Sequence, residues 1–130
     1  MKDGHVSGIL FFDGACGMCT RSANLALKLN RTGNVQIEPL QSPSAAERLN
    51  IPQSQLLDSV RWLDSSGVVY SGAEAVNAAL SAAIGTKLPL VVYRIAGVRF
   101  IQDAVYRWVA AHRYRFPGTT PYCESHPAAC

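Results

Sequence analysis

Cys16 and Cys19 lie three positions apart, with Gly17 and Met18 between them. They follow a short apolar run, Ile9–Phe12, and begin a stretch whose apolar residues recur with helical spacing. At the first turn of a helix, free backbone N–H groups and the positive end of the helix dipole stabilise a thiolate by about 0.3 to 1 kcal/mol. Two thiols at this spacing can also close a small disulfide ring. The pattern therefore predicts a redox-active dithiol.

The two sulfurs are expected to have different tasks. Cys16, at the start of the helix, is expected to be the solvent-exposed nucleophile that attacks a substrate disulfide and forms a mixed disulfide. Cys19, one turn further along, is expected to be the buried thiol that attacks the sulfur of Cys16 and releases the reduced product. This interpretation requires the Cys16 sulfur to be open to solvent, and it predicts that Cys16 is alkylated faster than Cys19.

Asp13 and Gly14 precede the dithiol and have two interpretations. The Asp13 carboxylate could take part in the chemistry, by exchanging a proton with Cys19 or by opposing ionisation of Cys16. Alternatively, Asp-Gly is a common turn pair in which the carboxylate accepts local backbone N–H groups. The turn is the simpler expectation.

A second cysteine pair, Cys123 and Cys130, brackets His126 near the end of the chain. Three interpretations remain open for it. The two thiols could be incidental or paired with each other, they could accept electrons from the first pair, or all four cysteines, or three of them with His126, could bind zinc. The C-x6-C spacing lacks the tighter second pair of most zinc sites, so no metal is expected.

The first 40 residues have the pattern of a β-α-β unit. A strand at Ile9–Phe12, a helix over 16–31 and a second strand at Val35–Ile37 occupy about 30 residues, and the two strands should be parallel. A wide apolar face that includes Ala23 and Leu25 predicts that the first helix is mostly buried. The dithiol then lies at the carboxyl end of the first strand.

The remainder is predicted to be a hairpin followed by helices. Residues 59–64 and 68–70 predict two hairpin strands. Ser71 and Glu74 have the spacing of a capping box, and their helix should end at Gly85. A helix over 88–96 and a last helix from Val98 follow, the latter with a stripe expected to pack in the core, made of Ile101, Val105, Trp108, Val109 and His112.

This element order is that of a thioredoxin-like α/β core with additional C-terminal helices. The predicted division is a domain over residues 1–116 and an irregular tail over residues 117–130. A dithiol at the first strand-to-helix junction supports this fold, because thioredoxin-like folds carry their redox centre at that position.

Composition and charge limit the function classes. The chain has 130 residues, 48% of them hydrophobic, which is enough for a core that needs no disulfide scaffold. The N-terminal residues Met1–His5 lack the apolar run of a secretory signal, and no stretch approaches the roughly 20 apolar residues of a membrane span. We therefore expect a cytoplasmic protein. The net charge is +3, with an excess of arginines after residue 86, but these are too sparse to predict nucleic-acid binding.

The segment Asp13–Cys19, D-G-A-C-G-M-C, resembles the D-G-x-C-x-x-C signature of the DCC family of thiol-disulfide oxidoreductases. Later blocks are similar to that family in the same order: L-Q-S-P at 40–43, S-G-A-E-A at 71–75, D-A-V-Y at 103–106 and H-R-Y-R at 112–115. The resemblance implies a thioredoxin-like fold with Cys16 and Cys19 as the redox pair. It also makes Asp13 and Gly14 part of the family signature.

Together, these observations predict a thiol-disulfide oxidoreductase that works by dithiol-disulfide exchange and needs no bound cofactor. Its substrate would be a protein or small-molecule thiol or disulfide, and a separate redox partner would complete the cycle. One alternative is a thioredoxin-like module that binds a partner through its cationic C-terminal helices without catalysis. The other is a zinc-binding protein that uses Cys16, Cys19, Cys123 and Cys130.

Overall fold

The computed structural model describes residues 8–86, 88–112, 115 and 118–130. The described strands and helices follow one another in this order: β1 (Gly8–Phe12), α1 (Gly17–Lys28), β2 (Val35–Pro39), α2 (Ala45–Leu49), a 3-10 helix (Gln53–Asp58), β3 (Arg61–Asp64), β4 (Val69–Ser71), α3 (Gly72–Ile84), α4 (Leu88–Tyr93), α5 (Ala96–Ala111), α6 (Tyr122–Ser125) and a 3-10 turn (Pro127–Ala129).

The four strands form one mixed sheet in the order β2-β1-β3-β4. β1 is parallel to β2, with Leu10 opposite Ile37, and antiparallel to β3, with Leu10 opposite Trp62. β3 and β4 pair as an antiparallel hairpin. The predicted β-α-β unit and hairpin are therefore confirmed, and the arrangement is consistent with a thioredoxin-like fold.

β1 is one of the two inner strands of the sheet, and its side chains are buried on both faces. Leu10 belongs to a core cluster with Trp62 and the alanines of α3. Phe11, which points to the opposite face, packs in a second cluster with Leu40 and Leu49. The carboxyl end of β1 is thereby held between two cores, and this fixes the position of the loop that follows it.

Small side chains allow α3 to lie close against the sheet. The residues that it contributes to the core are Ala75, Ala78, Ala79, Ala82 and Ala83. The helix ends at the C-cap residue Gly85, which has a φ of 81°. The predicted hydrogen bond from a capping box does not form at the N-terminus. The Ser71 hydroxyl accepts a hydrogen bond from the Arg61 guanidinium at 2.6 Å instead.

Two predictions of burial were wrong. In α1 only Thr20 and Ala23 are buried, and Leu25 is 55% exposed, because one side alone of this helix meets the sheet. In α5 three residues of the stripe predicted to lie in the core are exposed, Ile101, Val105 and Trp108, with Trp108 at 57%, whereas Val109 and His112 are half-buried. α5 packs mainly on α3 and α4. A hydrogen bond of 2.7 Å from the Tyr93 hydroxyl to Asp103 joins α4 to α5.

The segment after residue 117 differs from the irregular tail that the sequence predicted. It contains the four-residue helix α6 and a 3-10 turn. Among the helices that the structure describes, none has the length and apolar character needed to cross a bilayer.

Candidate active site

The dithiol lies at the junction of β1 and α1, as the sequence predicted. β1 ends at Phe12, and a short turn leads to Cys16, which is the N-cap residue of α1 with extended backbone angles (φ −105°, ψ 121°). The Cys16 sulfur accepts a hydrogen bond from the backbone N–H of Cys19 at 3.3 Å. It thus takes the place of the hydroxyl or carboxylate oxygen that commonly caps a helix.

The accessibility of the two cysteines is the reverse of the prediction. Cys16 is only 1% exposed, whereas Cys19 is partly exposed, and neither sulfur is in a disulfide. The expected pattern of an exposed Cys16 and a buried Cys19 was therefore wrong. The physical reason lies in the C-terminal segment, residues 118–130, which packs beside Cys16.

The C-terminal segment is hydrogen-bonded to residues on both sides of Cys16. The backbone N–H of Cys123 donates to the carbonyl of Gly14 at 2.9 Å. The N–H of Thr119 donates to the carbonyl of Gly17 at 3.3 Å, and that of Tyr122 donates to the hydroxyl of Thr20 at 3.0 Å. The segment therefore follows the loop and the first turn of α1.

Aromatic packing adds to these hydrogen bonds. The ring of Tyr122 meets the ring of Phe12 edge to face, with centroids 5.3 Å apart. The ring of His126 stacks on that of Tyr122, with centroids 4.2 Å apart. Phe12 is itself buried at the end of β1, so the C-terminal segment is attached to the core as well as to the loop.

Cys123 and Cys130 are joined by a disulfide. The structure thus shows the first of the three interpretations that the sequence left open, in which Cys123 and Cys130 pair with each other. Within the described residues, no three side chains of His, Cys, Asp or Glu converge on a point where a metal ion could bind. The zinc alternative therefore has no support from the arrangement of these side chains.

Asp13 is the turn residue that the simpler interpretation predicted. It is 6% exposed, and its Oδ1 accepts the backbone N–H of Ala15 at 3.0 Å. The same oxygen accepts a hydrogen bond from Gln41 Nε2 at 2.7 Å, and Gln41 Oε1 accepts the N–H of Gly14 at 2.9 Å. Gln41 thus fixes both residues of the turn. No role was predicted for Gln41 from the sequence, although it lies in the L-Q-S-P block.

One family model, described as DCC1-like thiol-disulfide oxidoreductase, matches residues 10–119. The match covers most of the chain and includes the complete D-G-A-C-G-M-C loop. The chain belongs to this family. A search of curated proteins and a search of solved structures each gave no match. The family resemblance predicted from the sequence is therefore confirmed, and Cys123 and Cys130 lie beyond the part of the chain that matches the DCC1-like family.

Two glycines of the DCC1-like loop allow the C-terminal segment to approach. A Cβ atom at position 14 would lie 2.6 Å from the sulfur of Cys123 and 2.9 Å from Pro39 Cβ. A Cβ atom at position 17 would lie 2.6 Å from the carbonyl oxygen of Thr119, and the other atoms nearest to it also belong to residues 118 and 119. The atoms nearest to a Cβ at position 17 therefore belong to the C-terminal segment.

An apolar cavity of about 440 Å³ adjoins Cys19. Asp13, Met18 and Cys19 contribute to its lining, and most of the other lining side chains are apolar, among them Leu25, Val76 and Val109. Its volume falls in the range of small-molecule sites. The cavity was not predicted from the sequence, because the apolar faces of α1 and α5 were expected to belong to a continuous core.

Proposed function

We propose that the chain is a thiol-disulfide oxidoreductase that exchanges a disulfide between Cys16 and Cys19 and a thiol or disulfide substrate. The observation that carries the proposal is the position of the Cys16 sulfur at the N-terminus of α1. There it accepts the N–H of Cys19, the residue that bears the second thiol. Amide donors and a helix N-terminus stabilise a thiolate, which is the reactive form. Membership of the DCC1-like family supports the same chemistry.

The proposed reaction has two steps. The Cys16 thiolate attacks one sulfur of the substrate disulfide, and the other substrate sulfur leaves as a thiolate and takes up a proton. The Cys19 thiolate then attacks the Cys16 sulfur, so that the first substrate sulfur also leaves as a thiolate and is protonated. Cys16 and Cys19 are oxidised to a disulfide, the substrate gains two electrons and two protons, and no cofactor is needed.

The burial of Cys16 adds a requirement to this mechanism. A substrate disulfide cannot reach a sulfur whose residue is 1% exposed. We propose that the C-terminal segment moves away from the loop before Cys16 reacts. Its hydrogen bonds to Gly14, Gly17 and Thr20 would then be replaced by bonds to water, which costs little net free energy for each bond.

A single-turnover reaction with a small disulfide tests the proposed function. The fully reduced chain that carries Cys123→Ser and Cys130→Ser is mixed with one equivalent of 2-hydroxyethyl disulfide, quenched with acid, alkylated and mapped by mass spectrometry. We expect a disulfide between Cys16 and Cys19 and two equivalents of 2-mercaptoethanol. If Cys16 and Cys19 remain thiols in this chain, the proposal is wrong.

Native-state alkylation tests the movement of the C-terminal segment. In the wild-type chain we expect Cys19 to react with iodoacetamide before Cys16, because Cys16 is covered. Gly17→Ala places a Cβ atom against Thr119 and Gly118. Overpacking of this kind costs about 1 to 3 kcal/mol, which corresponds to an increase of about 5- to 150-fold in the open population and in the alkylation rate of Cys16.

Gly97→Ala is the matched control for this experiment. Gly97 also lies in the first turn of a helix, but no atom lies within 4 Å of the position that its Cβ would take. The Gly97→Ala chain should alkylate at the wild-type rates. If Cys16 reacts at the same rate in the Gly17→Ala and Gly97→Ala chains, the C-terminal segment does not control access to Cys16.

We also propose a cytoplasmic location, where a dithiol of this kind is kept available in its reduced form. The substrate is a protein or a small molecule that carries a thiol or a disulfide. The apolar cavity beside Cys19 supports a substrate with an apolar portion next to its sulfur, because a ligand in that cavity would contact mainly apolar side chains.

A further inference from the structure

We propose that the disulfide between Cys123 and Cys130 is a second redox site, which exchanges electrons directly with Cys16 and Cys19. This inference rests on the proposed function of the first pair. Both cysteines lie outside the region that matches the DCC1-like family, so the second site is a property of this chain. In a reducing compartment, a disulfide is more often catalytic or redox-sensing than structural.

The position of the Cys123 sulfur is the first argument. It occupies the space beside Gly14, where a Cβ atom would lie 2.6 Å from it. Gly14 is two residues from Cys16, and two residues span at most about 7 Å, so the Cys123 sulfur lies within about 11 Å of the Cys16 Cα atom. A local movement of the C-terminal segment can therefore bring the two sulfurs into contact.

The second argument is that the two cysteines of the C-terminal disulfide have different surroundings. Cys123 is partly buried against the loop, and its N–H is bonded to the Gly14 carbonyl, whereas Cys130 is exposed. In thiol-disulfide exchange, one sulfur is attacked and the other leaves as a thiolate. The geometry places Cys123 as the sulfur attacked by Cys16 and Cys130 as the leaving sulfur, which is released into water.

The exchange balances without another reactant. The Cys16 thiolate attacks the Cys123 sulfur, the bond between Cys123 and Cys130 breaks, and Cys130 takes up a proton. The Cys19 thiolate then attacks the Cys16 sulfur, and Cys123 leaves and is protonated. Two electrons pass from the first pair to the second, and the two protons lost by Cys16 and Cys19 equal those gained by Cys123 and Cys130. The reverse sequence oxidises the second pair.

The test follows formation of the Cys123–Cys130 disulfide in the fully reduced, full-length chain. One equivalent of 2-hydroxyethyl disulfide is added at about 10 µM, and samples are quenched with acid and alkylated at intervals. Arg21 and Arg115 lie between the two cysteine pairs, so trypsin separates them for mass spectrometry. Because Cys16 at the helix N-terminus is proposed to react with the reagent faster than Cys123 or Cys130, and the transfer that follows occurs within one molecule, we expect this disulfide to form on the order of 10-fold faster in the wild type than in Cys16→Ser.

Two outcomes separate this proposal from the proposed function. If the Cys16–Cys19 disulfide forms in the chain that carries Cys123→Ser and Cys130→Ser, but the Cys123–Cys130 disulfide forms at the same rate in the wild type and in Cys16→Ser, the second redox site is wrong and the first remains. If Cys16 and Cys19 form no disulfide in the chain without the second pair, the proposed function itself is wrong.

A matched pair of double variants tests which sulfur of the C-terminal pair reacts with Cys16. Cys19→Ser with Cys130→Ser leaves only Cys16 and Cys123 as thiols, and we expect a disulfide between them after addition of the same reagent. Cys19→Ser with Cys123→Ser leaves Cys16 and Cys130, and this pair should form the corresponding disulfide more slowly. Equal or faster formation with Cys130 would contradict the assignment of Cys123.

Discussion

Replacing Cys16 by Ser is expected to reduce turnover of a disulfide substrate to the background rate, a loss on the order of a thousandfold or more, because a serine hydroxyl forms no mixed disulfide. Folding should be affected little, since a serine oxygen can also accept the N–H of Cys19 at the N-cap position. Turnover of 2-hydroxyethyl disulfide with dithiothreitol as the reductant, corrected for the reaction without protein, measures this effect.

Cys19→Ser is the informative comparison for Cys16→Ser. We expect Cys19→Ser to lower turnover as well, but it leaves the thiol of Cys16 in place. In a chain that also carries Cys123→Ser and Cys130→Ser, and without dithiothreitol, a mixed disulfide between Cys16 and the reagent should therefore accumulate and be seen by intact-protein mass spectrometry. Cys16→Ser should give no such adduct at Cys19 on the same timescale. The opposite result, an adduct at Cys19 in Cys16→Ser and none at Cys16 in Cys19→Ser, would reverse the roles assigned to the two thiols.

Replacing Trp62 by Ala is expected to lower the free energy of unfolding by about 3 to 5 kcal/mol. Trp62 is 0% exposed, lies opposite Leu10 in the sheet and packs against the alanines of α3. Those alanines are too short to fill the cavity that loss of the indole ring would leave. Because a domain is stable by only about 5 to 15 kcal/mol in total, this is a large share of its stability. Urea denaturation followed by circular dichroism measures the change.

Trp108→Ala is the matched control for Trp62→Ala. Trp108 is 57% exposed and stacks on His112, with ring centroids 4.5 Å apart. Substitutions at such surface positions usually change stability by no more than about 0.5 kcal/mol. A loss in Trp108→Ala as large as that in Trp62→Ala would show that the core is not where the structure places it.

Local patterns in the sequence were sufficient to predict most of the elements and the position of the dithiol. A short apolar run located β1, the alternation of apolar residues located β2, and the Asp-Gly turn followed by Cys16 located the start of α1. These features depend on residues within a few positions of one another. The side-chain pattern of a strand or the first turn of a helix is therefore visible in a single sequence.

Contacts between distant parts of the chain were not predictable in this way. Cys16 was expected to be exposed, because nothing near it in sequence indicates that residues 118–130 pack beside it. Gln41, 28 positions from the Asp13 carboxylate that it contacts, was missed for the same reason. The apolar residues of α1 were assigned to the core because periodicity shows that a helix has an apolar face but not what lies opposite that face.

The hydrogen bond between Tyr122 and Thr20 joins residues that are 102 positions apart. A ribosome adds about 5 to 20 residues per second, so α1 is synthesised about 5 to 20 s before Tyr122. During this interval, the nascent polypeptide has Cys16 and Cys19 but not yet the segment that packs beside Cys16. We therefore expect newly translated molecules to be more open to oxidants and electrophiles at Cys16 than the complete chain is.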